Sequence, residues 1–123
     1  MKFNANIFEM ARENTYFRQE VATGDHAQVV LMNLLPGEEI GMEVHALDQI
    51  LIFILGEGTA ILDGESRPVQ QGSLVYVPSG TEHNFINSGK TDLKLFTVYA
   101  PPQHKLGTIH KSKQEAEASE EHY

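Results

Sequence analysis

From Ala27 to Ala100 no apolar run goes far before a turn signal ends it. The signals are Pro36-Gly37, Gly56 and Gly58, Asp63-Gly64, Gly72, Pro78-Ser79-Gly80, Asn87-Ser88-Gly89-Lys90 and Pro101-Pro102. Short runs rich in Val, Ile, Leu, Thr and aromatics, broken at this rhythm, are strands rather than helices. They read as Ala27–Leu35, Met42–His45, Gln49–Leu55, Thr59–Leu62, Ser66–Val69, Leu74–Val77, a run opening at His83, and Leu93–Ala100. No helical crossover separates them, so parallel sheets are disfavoured and an all-β sandwich or barrel is expected, with a jelly roll of two Greek keys fitting the strand count. Asp63-Gly64 marks a two-residue hairpin. Leu74 to Asn87 reads as a second hairpin, with Pro78 at the second position of a type I turn, Gly80 at its last, and His83 at the mouth.

Outside this region the signals change. Ile7–Arg12 suits a short helical turn and Tyr16–Val21 a short strand, while residues 112–121 suit an exposed helix or a loose tail. The 123-residue chain is the size of one typical domain, here read as 1–123 with a barrel core at about 27–100 and an exposed tail at 106–123. The segment Ile50–Leu55 is apolar at every position, which calls for burial on both faces. One face belongs to the barrel interior, and a second copy of the chain is the simplest cover for the other, so a homodimer is expected.

The net charge of −8 and the lack of any Lys/Arg cluster argue against nucleic acid. With no cysteine, there are no disulfides, thiolate metal sites or cysteine nucleophiles. No apolar run reaches the length of a membrane span and no secretory h-region opens the chain, so a soluble cytoplasmic protein is expected. Phosphate loops and nucleotide fingerprints are absent as well, which leaves metal chemistry on a small-molecule ligand as the class to test.

Glu43 and His45, two apart on one strand, face the same side; Gln49 follows across a short loop. With His83 they form a candidate cluster converging from separate strands, and imidazole plus carboxylate or amide oxygen suits Zn, Mn, Fe, Ni or Co better than Mg or Ca. Other residues have two readings each. Glu39 is a further ligand or a surface acid, and Asp48 orients His45 or caps its loop. Phe53 and Phe85 line the barrel. Tyr76 and Tyr99 are core-edge tyrosines, either of whose hydroxyls would matter if it reached the pocket. His26, His104, His110 and His122 are read as surface residues, with His104 placed to close over the mouth.

Two spacings carry a resemblance. Gly37, five residues, Glu43-Val44-His45, three residues, Gln49, six residues and Gly56 follow the form G(X)5HXH(X)3-4E(X)6G. Gly72, Pro78, Gly80, His83 and Asn87 match G(X)5PXG(X)2H(X)3N throughout. The chain thereby resembles a small single-domain cupin of the conserved-barrel type, often grouped with mannose-6-phosphate isomerase-like proteins. The resemblance implies a double-stranded β-helix with a site inside the barrel, and His45 and His83 as ligands of one divalent ion (Zn, Mn, Fe or Ni). Glu43 stands where the family's first histidine belongs and Gln49 where its glutamate belongs, so one carboxylate remains, at a different place. The expected chemistry is a metal-dependent isomerisation or epimerisation of a small sugar or hydroxy or keto acid, with Glu43 or a metal-bound water moving the proton. An Fe(II) dioxygenase using Glu43, His45 and His83, or a non-catalytic metabolite-binding cupin, are the alternatives.

Overall fold

The computed structural model describes residues 2–119, and among these the order is α1 (Ile7–Glu13), β1 (Arg18–Thr23), β2 (Gln28–Leu34), β3 (Asp48–Leu55), β4 (Glu57–Leu62), β5 (Glu65–Gln70), β6 (Leu74–Val77), β7 (His83–Ile86), β8 (Leu93–Ala100), β9 (Ile109–His110) and α2 (Lys113–Ala118). The strands form two antiparallel sheets, one of six strands in the order β6-β3-β8-β2-β1-β9 and one of three in the order β5-β4-β7. This is an antiparallel β jelly roll with a short helix at each end, as expected. The sheets face each other across a core in which Phe53 and Phe85 are fully buried, their ring centroids 6.0 Å apart. No described helix is long and apolar enough to cross a membrane.

Alternation along β3 shows how the apolar run is used. Gln49, Leu51 and Phe53 are buried inward, while Ile50 and Ile52 are half-buried on the other face. Part of that outer face is covered from within the chain. α1 starts at Asn6, whose side chain accepts from the Glu9 amide at 3.0 Å, and it lays Ala11 against Leu31 and Ile54, with Ile7, Met10, Ile52 and Phe96 around them. Farther along the same face Leu74 and Tyr76, in register with Ile52 and Ile50, stay 62% and 49% exposed.

Two local expectations are corrected. Leu74 to Asn87 is a corner rather than a hairpin: β6 pairs with β3 in the larger sheet and β7 with β4 in the smaller. The turn joining them places Pro78 first, because the Thr81 amide donates to the Pro78 carbonyl at 3.1 Å, and Gly80 third with φ +86°, the left-handed value a type II turn demands there. The expected strand Met42–His45 shrinks to one bridge, Glu43 opposite His83, with a second at Glu39 opposite Ile86. Gly41, at φ +110°, turns the backbone between the two bridges and prevents a continuous ladder.

Asn87 locks this irregular segment to the sheets. Buried at 1% exposure, its amide donates to the carbonyls of Leu34 and Thr91 at 2.8 and 2.9 Å and its oxygen accepts from the Gly89 amide at 3.0 Å. Its backbone exchanges bonds with Gly37 and Glu38. Gly58 allows a close passage beside it, since a Cβ there would meet the Ile86 carbonyl oxygen at 2.6 Å.

Candidate metal centre

Residues directly opposite in an antiparallel pair project to the same side, and so do residues two apart on one strand. Glu43 and His83 exchange both backbone bonds at 2.9 Å, and His45 lies two positions past Glu43. These two rules bring the three side chains together: one donor atom from each of Glu43, His45 and His83 lies within 4.8 Å of the others. The corner holds the arrangement, because the Gly80 amide donates to the His45 carbonyl at 2.8 Å.

The environment sets the protonation. His83 is 1% exposed and its Nδ1 sits 2.8 Å from the Thr81 carbonyl oxygen. A carbonyl only accepts, so Nδ1 carries a proton, and in the neutral ring Nε2 is the nitrogen with the lone pair. That Nε2 is buried with no hydrogen-bond partner. His45 is pushed down to about 4 by burial and then by the neighbouring His83 and Arg18, so it is neutral at pH 7. Its Nε2, 3.8 Å from Glu43 Oε1, is therefore not half of an ion pair. Burial displaces Glu43 upward against the pull of Arg18, His83 and Lys113; with 38% of its side chain still open to solvent, the displacement is a screened one.

Gln49 reaches the interior from β3. The Thr97 hydroxyl donates to the Ile50 carbonyl at 3.0 Å, so it accepts from Gln49 Nε2 at 3.1 Å, and this chain decides which way the amide faces. Gln49 Oε1 is left buried without a partner. Glu43, His45 and His83 together offer a carboxylate and two imidazoles, a set that fits a divalent transition ion. Tyr99 packs edge-on against His45, centroids 6.2 Å apart, and burial holds its hydroxyl well above the usual phenol range.

Several expected residues lie elsewhere. Asp48 caps the corner, accepting from the Ser79 amide at 2.9 Å and from the Tyr76 hydroxyl, and both bonds lie at the exposed surface. Glu39 accepts from Asn84 Nδ2 at 3.1 Å and so braces the backbone of the irregular segment. His26 is exposed, as expected, whereas His110, read as a surface residue, is 5% exposed with its Nδ1 3.1 Å from Arg18 Nη1. His122 lies outside the described residues.

His104 does sit at the mouth, its ring 5.4 Å from Tyr99. Burial, then Arg18, holds it down to about 3. Arg18, Gln103, His104 and Lys113 join Glu43 around a cavity of about 180 Å³. Larger hollows of about 390 and 870 Å³ lie between β5 and β6 and beside Gly56 and Gly89, and neither is lined by any of the three donors. Sequence reasoning missed Arg18 and Lys113 as wall residues. It also missed Thr97, whose signal was available: a polar residue at an inward position of β8, in line with Leu93, Leu95 and Tyr99.

The two depressed imidazoles predict a pH dependence. A histidine near 6.5 when unfolded and near 3 or 4 when folded binds more protons unfolded, so its contribution is complete above about pH 6.5 and is lost as pH falls toward those values. Glu43, displaced upward, works weakly in the opposite sense. Urea midpoints in chelator should therefore fall from pH 7 to pH 4, and His104→Gln should flatten the slope; an equal slope in the variant would refute the assignment.

The model of the cupin domain family matches residues 30–99. The uncharacterized protein YrkC of Bacillus subtilis is 43% identical over 127 residues, which cover 97% of this chain and 68% of that protein. A crystal structure of a Bacillus halodurans protein superposes with a TM-score of 0.94 at 39% identity, covering 96% of this chain and 95% of that one. Another, of a predicted oxalate decarboxylase from Thermotoga maritima, has a TM-score of 0.60 at 29% identity over 63% of this chain and 69% of that one.

Proposed function

The chain belongs to the cupin domain family, and on that premise we propose that it binds one divalent ion, Zn, Mn, Fe or Ni, through Glu43, His45 and His83 with Gln49 Oε1 as a further donor, and isomerises or epimerises a small sugar or hydroxy or keto acid. The observation that carries this reading is the buried, unpartnered Nε2 of His83, fixed as an acceptor by Thr81 and pointed at two other donors. When bound, the ion would supply Lewis acidity to a carbonyl or enediol oxygen.

The chain's own part is proton handling and exclusion of water. Glu43 has one oxygen beside His45 and a second for the substrate, and its upward displacement brings it closer to the working pH of a general base. It takes the proton from the carbon next to the carbonyl and returns it to the adjacent carbon or to the opposite face. Tyr99 and His104 close the inner side of the mouth.

Metal analysis of protein purified without chelator or nickel resin tests the first half, with about one ion per chain expected. A site that stays empty when offered Zn, Mn, Fe and Ni ends the reading. For the second half, exchange of substrate carbon-bound hydrogen in D2O should slow about a hundredfold in Glu43→Gln. The donor set of two histidines and one carboxylate also supports an Fe(II) dioxygenase. Oxygen uptake by the iron-loaded protein under reducing conditions would favour that second reading.

The outward patch of Leu74, Tyr76, Ile50 and Ile52 supports pairing of two copies. A monomeric mass by sedimentation at micromolar concentration would overturn the dimer.

A further inference from the structure

On the solvent side of Glu43 the wall of the mouth carries cations, against the −8 of the whole chain. Arg18 comes from β1 and Lys113 is the first residue of α2; both line the cavity that holds Glu43. His104, beside them, is neutral at pH 7. Among the described residues, the acids facing the same space are Glu43 itself and Glu117, whose side chain is 68% exposed and 3.8 Å from Lys113 Nζ.

Arg18 is the unusual member. Its Nη1 sits 3.1 Å from His110 Nδ1, its guanidinium carbon is 5.2 Å from the centre of the Phe17 ring, and its Nε is buried with no hydrogen-bond partner. Among the described residues no carboxylate lies within ion-pair distance of it. A half-buried guanidinium with its nearest acid, Glu43, beyond ion-pair distance is costly to keep, and a guanidinium fork suits a carboxylate. Lys113 adds a point charge on the same cavity, its side chain 23% exposed.

We propose that the mouth is a carboxylate subsite, in which Arg18 and Lys113 hold the acid group of a small 2-hydroxy or 2-keto acid while its other end faces Glu43. The proposal rests on the reading of the centre given above and selects the acid over the neutral sugar. A cavity of about 180 Å³ has room for a molecule the size of lactate or pyruvate.

The test is calorimetric titration of the metal-loaded protein with L-lactate and with L-lactamide, its neutral counterpart of equal size, with the ion content of every sample measured alongside. Because lactate can also chelate an ion directly, the variants decide. Lactate should bind about tenfold more tightly than lactamide, Arg18→Gln should remove about that factor, and Lys113→Gln should cost about threefold, with lactamide binding and ion content unchanged. If Arg18→Gln fails to fold, Lys113→Gln on the exposed α2 still reads the effect. Equal binding of the two probes, no binding of lactate, or unchanged lactate affinity in the folded variants would overturn the subsite. An empty ion site, with lactate still preferred through Arg18 and Lys113 in chelator-treated protein, would overturn the metal reading and leave the subsite standing.

Discussion

His83→Ala is expected to leave purification with less than about a tenth of the ion carried by the parent, the largest single effect on occupancy in the molecule. His83 is the donor with least freedom: 1% exposed, its Nδ1 tied to Thr81 at 2.8 Å, its backbone bonded to Glu43 on one side and in register with Leu62 on the other. Losing it takes away the orphaned Nε2 and leaves Glu43 and His45 on one irregular segment with nothing facing them from β7. Alanine also opens a cavity costing about 2–4 kcal/mol, so loss of ion must be separated from loss of fold. Melting each protein with and without added Zn makes that separation. An ion that binds only the folded state raises the parent's midpoint, and it should leave His83→Ala unmoved. A variant that still holds one ion per chain would remove His83 from the centre.

Asn87→Ala should produce the largest loss of stability, about 3–5 kcal/mol in urea unfolding, while the ion content of the protein that remains folded stays at the parent level. The alanine would strand the carbonyls of Leu34 and Thr91 and the Gly89 amide, all satisfied by one buried side chain. Asn87→Asp sharpens the test. It replaces the donor with an acceptor facing two carbonyls, and so should be at least as damaging as alanine despite its matching shape. If either variant unfolds at the parent's midpoint, the keystone role is wrong. If Asn87→Ala keeps its fold and loses its ion, the residue belongs to the centre instead.

The two residues show what a sequence can and cannot disclose. Their offsets from Gly72, Pro78 and Gly80 were legible because each step is local: a turn, a two-residue period, a glycine at positive φ. Sheet membership was not legible. A turn between two β-runs looks the same whether the runs pair with each other or leave for different sheets, and the choice was made by β3 and β4, far away in the chain. Glu43 and His45 were grouped correctly by parity even though the strand expected to carry them is a single bridge.

His110 was misread for a related reason. A two-residue strand has no period to detect, and its partner Arg18 lies 92 positions earlier. Asp48 and Glu39 each had two readings; Asp48 accepts from the Ser79 amide, and Glu39 from the side-chain amide of Asn84, whose oxygen holds the Gly41 and Phe85 amides.

One further consequence comes from the corner between β6 and β7. Because the sheets separate there, the candidate donors are divided: His83 belongs to the smaller sheet, the segment of Glu43 and His45 leans on it, and Gln49 stands in the larger one. Anything grasped by all four would rivet the two halves of the barrel together. Breathing between the sheets would then be quenched on loading, and slowed amide exchange should show first in β4 and β7, whose hydrogen bonds lie within the smaller sheet.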